Sequence, residues 1–321
     1  MIEVSKLSKS FSGNRVVDNI SFSVEKGKTL VLLGKSGCGK TTTLKMLNRL
    51  VEPDVGEIRI LGKNVLAITP EQLRRNIGYV IQDTGLFPHY SIAQNIAVVP
   101  TLLGWEAGKI KKKTSELLEM LDLPQSILSR KPAELSGGQQ QRVGIARALA
   151  AEPPVILLDE PFGALDPLTR QQIRKDFKQL ETLLDTTMVM VTHDVAEAVE
   201  LADEICLMDQ GRIVQKGVPK NLVFNPNSSF SKAFFENDFL QLSFSLVKIK
   251  DLLPLLNPTG KEENGKEISH FSVQENLALV LNSANGHLLA FKEEREGSEP
   301  VYTNKEALLI AYQRWVENGY A

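Results

Sequence analysis

Gly34-Lys35-Ser36-Gly37-Cys38-Gly39-Lys40-Thr41 is the stretch that decides the fold. It satisfies the phosphate-loop pattern of glycine, four residues, then Gly-Lys-Ser/Thr. The apolar run Thr29–Leu33 before it reads as a strand buried on both faces, and Lys40–Leu50 after it reads as a helix. Glycines let the backbone close around an anion with its N–H groups inward, and the helix N-terminus adds partial positive charge. Lys40 is then placed to reach the β- and γ-phosphates of ATP, and Thr41 to offer its hydroxyl to Mg²⁺, with Thr42 next in the cradle. An accidental match arises in about one chain in a hundred of this length. The strand and helix on either side make accident rarer still, and ATP binding is the expectation.

Downstream, Val155-Ile156-Leu157-Leu158 is a second buried strand, and it ends in Asp159-Glu160. Successive strand residues point in opposite directions, so two adjacent acids can take different roles. Asp159 is the candidate Mg²⁺ ligand and Glu160 the candidate general base that polarises an attacking water. A solvated strand end explains such a pair equally well in isolation; the phosphate loop tips the balance.

Between these lies Leu135-Ser136-Gly137-Gly138-Gln139. It reads as a helix start, with Ser136 as cap and two glycines allowing close backbone approach. That makes a second anion cradle in the same chain, which one nucleotide needs only if two chains share it.

The rest of the chain follows the same grammar. Ile2–Val24 alternates apolar and polar around a turn at Ser12-Gly13-Asn14 and reads as antiparallel strands. Gly56–Leu61 and Gly78–Ile81 read as further strands, and residues 91–154 as a helical insertion. Asp166 caps a helix with Pro167 at its first position, and Ile173, Phe177, Leu180 and Leu184 share one face of it. Met188–Thr192 reads as a strand, Asp194–Ala202 as a helix, and Ile205–Val214 as a hairpin turning at Asp209-Gln210-Gly211. Strands alternating with helices imply an α/β fold with a mostly parallel sheet. The pattern weakens past residue 236, and Asn257–Glu267 reads as a loop or linker.

Composition excludes several classes. With 321 residues and 42% hydrophobic content, the chain can bury a large core in two or three domains. A formal net charge of −2 gives no sign of a nucleic-acid partner. Cys38 and Cys206 make no disulfide framework, and reduced thiols of a cytosolic protein fit better. No apolar run approaches the about 20 residues of a membrane span, and the start lacks a secretory pattern. If the protein moves a solute, another chain supplies the channel.

Taken in order, these motifs resemble the ATP-binding-cassette transporter family over roughly residues 1–235; Leu135-Ser136-Gly137-Gly138-Gln139 is similar to its defining signature. The resemblance implies a P-loop NTPase cassette: a RecA-like parallel sheet, an antiparallel β subdomain and a helical insertion. A small C-terminal domain at 236–321 would follow. It adds Gln82 as the glutamine that touches Mg²⁺ and the attacking water, His193 as the histidine that contacts the γ-phosphate, and Phe11 as the aromatic residue stacked on adenine. Ala164-Leu165-Asp166 resembles the loop that meets the other chain, although Gly163 stands where serine is often found. It further implies a head-to-tail dimer in which the Ser136 loop of one copy closes over ATP held by the other. Gly85-Leu86-Phe87-Pro88-His89 would carry the resulting motion to a membrane permease.

Asn76–Gln82 together with Gly85–His89 looks most like importers of glycine betaine, choline or carnitine. The resemblance therefore implies a peripheral subunit at the cytoplasmic face of the membrane, served indirectly by a solute-binding protein. The ATPase subunit of another importer, or of an exporter, stays open. The tail, through Ser272–Leu281 and Gly286–Phe291, could form one degenerate unit of the cystathionine-β-synthase type; a tail that only helps dimerisation is the alternative.

Overall fold

The structure, a computed structural model, describes residues 1–82, 85–163, 165–183, 186–256, 268–283, 288–292 and 300–319. It divides into two compact units, Met1–Val218 and Pro219–Ala321.

In the first unit, β1 (Ile2–Phe11) and β2 (Asn14–Val24) form the expected antiparallel pair. β4 (Val55–Ile60) and β5 (Lys63–Asn64) complete a four-stranded sheet in the order β2-β1-β4-β5. The second sheet contains β3 (Thr29–Gly34), β6 (Ile77–Val80), β7 (Val155–Asp159), β8 (Thr187–Thr192), β9 (Glu204–Asp209) and β10 (Arg212–Gly217). Its order is β10-β9-β3-β8-β7-β6. β6, β7, β8, β3 and β9 pair in parallel, and β10 turns back antiparallel on β9 at the expected hairpin. Every residue of β3, β7 and β8 is buried, which explains their uninterrupted apolar sequences. Leu30, Leu32, Leu157, Val189 and Val191 share one hydrophobic core with Ile2, Val4, Ile20 and Ile58 of the antiparallel sheet.

Helices join the strands. α1 (Lys40–Leu47) follows β3 and α2 (Pro70–Arg74) precedes β6. The insertion is helical, with α3 (Ile92–Leu102), α4 (Ala107–Met120) and α5 (Gly137–Leu149). α6 (Pro167–Leu183) buries Ile173 and Phe177 as its spacing predicts; the side chain of Leu180, and Leu184, lie outside the described residues. α7 (Val195–Leu201) follows β8 and is capped by Asp194. No described helix is long and apolar enough to cross a membrane. Cys38 and Cys206 are free thiols, both buried.

The second unit starts at Pro219, earlier than the sequence boundary after residue 235. The reason is aromatic packing. Phe224, on α8 (Pro219–Phe224), meets Phe239 edge-on at 5.8 Å and Trp315 at 5.1 Å, so the segment shares a core with the tail. α9 (Ser229–Glu236), α10 (Phe239–Leu246) and α11 (Ile249–Leu252) lead to β11 (Ile268–Ser272). Then come α12 (Leu277–Ser283), β12 (Leu288–Lys292), β13 (Val301–Thr303) and α13 (Lys305–Glu317). β12 is central, parallel to β11 and antiparallel to β13. The expected linker Asn257–Glu267, and Gly286, lie outside the described residues.

Candidate active site at the carboxyl edge of the parallel sheet

β3, β6, β7 and β8 run in parallel, so the residues that follow them gather at one edge of the sheet, where α/β folds bind ligands. Those residues are the phosphate loop, Gln82, Glu160 and His193.

The loop leaves β3 through Gly34, where a Cβ would collide with the Met208 carbonyl oxygen. It enters α1 through Gly39, whose φ of 103° and approach of 2.5 Å between a built Cβ and the Val16 oxygen admit only glycine. Lys40 is 4% exposed, and its Nζ donates to the carbonyls of Gly34 at 2.7 Å and Lys35 at 3.0 Å. The ammonium is thus folded into the loop it would share with phosphate. Gly39 gives α1 no side-chain cap, leaving the helix N-terminus open to an anion. Burial pushes the Cys38 thiol above its usual range, so the one reactive group in the loop stays protonated.

Thr41 Oγ1 donates to Asp159 Oδ1 at 2.9 Å. Asp159 is 6% exposed, and burial raises its pKa against the lowering effect of the Thr41 hydrogen bond. A hydroxyl and a carboxylate beside a phosphate cradle fit Mg²⁺, which is bound through one or two carboxylates together with substrate phosphates and water. Among the described residues no cluster of three His, Cys, Asp or Glu competes for a metal.

Glu160 departs from its neighbour as alternation predicts, and further: it takes φ 44°, the left-handed region that non-glycine residues rarely occupy. Its N–H bonds the Val191 carbonyl at 3.0 Å. Its Oε2 accepts from Gln82 Nε2 at 3.4 Å and lies 3.3 Å from His193 Nδ1. Two residues far apart in sequence, Gln82 and His193, therefore converge on one Glu160 carboxylate oxygen. Such a group can accept a proton from a water held beside it.

Tyr79 is a residue that sequence reading passed over. Its hydroxyl reaches Asp159 Oδ2 at 3.5 Å, and burial followed by the Asp159 charge pushes its pKa up. Strand register explains the contact. Tyr79 pairs with Leu157, and Asp159 lies two residues on along the same face, within reach of a long aromatic side chain. The signal was present in the period of β6, but the β6–β7 pairing was needed to use it.

The remaining candidates lie apart from this cluster. Ser136 caps α5 in a reciprocal capping box, its Oγ accepting from Gln139 N–H at 3.3 Å while Gln139 Oε1 accepts from Ser136 N–H at 3.1 Å. Gly138 packs where a Cβ would stand 2.7 Å from Thr169 Cγ2, and Gly137 faces open space. Asp166 accepts from Thr169 N–H at 3.1 Å, and hydrogen bonding to Thr169 holds its carboxyl below the usual range. Ala164, in the same loop, lies outside the described residues. Phe11 is 44% exposed with Lys9 Nζ 5.3 Å from its ring centre, an accessible aromatic face.

Comparison with known proteins gives the family of the chain. Residues 17–163 match the family described as ABC transporter. The chain is 50% identical over 241 residues to the glycine betaine/carnitine/choline transport ATP-binding protein OpuCA of Bacillus subtilis (strain 168), covering 75% of this chain and 63% of that one. It therefore spans less than two thirds of that relative. It is 49% identical over 281 residues to the glycine betaine uptake system ATP-binding protein YehX of Escherichia coli (strain K12), covering 88% of this chain and 91% of the relative. The ATP-binding cassette MJ0796, solved as a dimer in a post-hydrolysis state with ADP and Pi, superposes with a TM-score of 0.62 at 30% identity, covering 68% of this chain and 99% of that one. The chain belongs to the ATP-binding subunits of the ABC transporter family.

Proposed function

We propose that this chain binds and hydrolyses ATP, and that hydrolysis drives uptake of a quaternary ammonium osmoprotectant of the glycine betaine, choline or carnitine type. The observation that carries the hydrolytic reading is the convergence of Gln82, Glu160 and His193 beside the Thr41–Asp159 pair, all at one sheet edge. Lys40 and the loop amides hold the triphosphate. Thr41, Asp159 and Gln82 would hold Mg²⁺, which when bound would neutralise charge on the phosphate oxygens. Glu160 takes the proton of the attacking water, His193 orients toward the γ-phosphate, and Phe11 stacks on the adenine. The Ser136, Gly137, Gly138 and Gln139 loop, with Asp166, serves ATP held by a second copy packed head to tail.

The substrate class rests on the relatives, whose names give glycine betaine, carnitine and choline. A membrane permease supplies the path, a solute-binding protein delivers the solute, and the chain works peripherally at the cytoplasmic face of the membrane. The second unit is an accessory domain, with β11 to α13 as a candidate degenerate unit of the cystathionine-β-synthase type.

A steady-state assay tests the chemistry. Glu160→Gln should lower ATP hydrolysis by about 10²-fold or more, because an amide cannot accept the water's proton, while ATP binding survives. Hydrolysis near the wild-type rate would overturn the role of Glu160. A strain lacking the gene should accumulate less betaine, choline or carnitine under osmotic stress. Normal accumulation of all three would overturn the substrate class and leave the ATPase standing.

A further inference from the structure

We propose that Arg170 is a positioning residue that sets the Glu160–His193 geometry from behind. The inference rests on the ATPase reading above.

Arg170 lies in the first turns of α6 and touches neither half of the pair directly. It holds backbone carbonyls on the Glu160 side and faces side-chain carboxylates on the His193 side. Its Nη2 donates to the carbonyls of Gly163 at 3.3 Å and Leu165 at 3.1 Å. Gly163 in turn donates its N–H to the Glu160 carbonyl at 3.1 Å. One end of the guanidinium therefore braces the turn that holds Glu160 in its left-handed conformation. A strained φ persists only where the surroundings over-determine it.

The other end faces the turn that carries His193. Nη1 lies 3.5 Å from Asp194 Oδ2, and Nε lies 4.0 Å from Glu197 Oε1. Both carboxylates are tied into that turn. Asp194 Oδ1 accepts from Glu197 N–H at 3.0 Å, and the Thr192 hydroxyl accepts from Asp194 N–H at 3.0 Å. Thr192 also donates to Glu197 Oε2 at 2.6 Å. Glu197 is 2% exposed, and the cations that act on its carboxyl are Arg174 first and then Arg170. His193 stands between Thr192 and Asp194, both held in this network.

A planar fork can hydrogen-bond two carbonyls through one nitrogen while its other nitrogens face two carboxylates across 3.5 and 4.0 Å, an arrangement a lysine cannot reproduce. Removing it should leave the phosphate loop intact and let the Glu160–His193 distance of 3.3 Å drift. Small misplacements of catalytic groups cost rate far more than binding.

The test is a kinetic cycle on the full chain with Arg170→Ala, Arg170→Lys, His193→Ala and the double variant Arg170→Ala/His193→Ala, folding checked by thermal melts. Arg170→Ala should lower kcat about 10-fold or more with KM for ATP within about 2-fold of wild type. Arg170→Lys, the variant kept for the case that alanine does not fold, should also lose kcat with KM unchanged, by less. In the His193→Ala background, removing Arg170 should cost less than it does in wild type, because one of the two side chains it positions is gone while Glu160 remains. Losses that multiply, or a KM that rises while kcat holds, would overturn the proposal as a general structural effect. A wild-type chain without ATPase activity would overturn the parent reading, and this one with it.

Discussion

Two glycine-bearing helix starts, those of α1 and α5, carry the anion-cradle readings, and they are finished differently. At α1, Gly39 supplies no side-chain cap, so the first N–H groups of the helix keep their capacity for an anion. At α5, Ser136 and Gln139 cap each other, so two N–H groups at that helix start are satisfied from within the chain. The first sits among Asp159, Glu160, Gln82 and His193, while the second has no carboxylate partner of its own. The difference teaches that the cradles are not duplicates. On the function proposed above, the first cradle would take phosphate by itself, and the second would exchange its internal bonds for a phosphate held by another copy.

Breaking the α1 cradle should have the largest effect. Lys40→Ala removes the only side-chain cation buried in the loop, and ATP affinity measured by nucleotide fluorescence should fall by about 10²-fold or more. Retained affinity would make the two helix starts equivalent and defeat the comparison. Breaking the α5 cradle should act differently. Ser136→Arg should leave ATP affinity of the monomer within about 2-fold while abolishing ATP-driven association, because that loop serves the opposite chain. A parallel loss of monomer affinity would place both loops on one nucleotide. A milder change sharpens the contrast: Ser136→Ala removes only the cap, and should lower stability in urea by about 1 kcal/mol. Truncation after Val218 should have the smallest effect on the site, with ATP affinity within about 2-fold, since the phosphate loop through His193 lies in the first unit.

Much of this was legible in the sequence because it is local. The buried runs Thr29–Leu33 and Val155–Leu158 have no polar interruption, and both proved to be inner strands of the parallel sheet. The cap Asp166 and the Ile173 and Phe177 face are set by helical spacing. What was not legible depends on which strands become neighbours. The Tyr79–Asp159 contact spans 80 positions and appears only once β6 lies beside β7. The Arg170 bridge needs α6 and the β8–α7 turn in one place, although each of its residues reads singly as an ordinary surface charge. The start of the second compact unit at Pro219 depends on the same kind of long-range packing. Nothing in Pro219–Phe224 announces that Phe224 will pack on Trp315 rather than on the parallel sheet.

The central claim is that two cradles of unequal finish act on one ATP across two copies. Sizing chromatography of Glu160→Gln with ATP and Mg²⁺ tests it most directly. Removing the carboxylate stops hydrolysis and relieves repulsion of the triphosphate, so the closed pair should accumulate. The account predicts a dimer with ATP and a monomer without, and a monomer under both conditions when Ser136→Arg is added. A Glu160→Gln chain that stays monomeric with ATP while hydrolysing it at a near-normal rate would contradict the account.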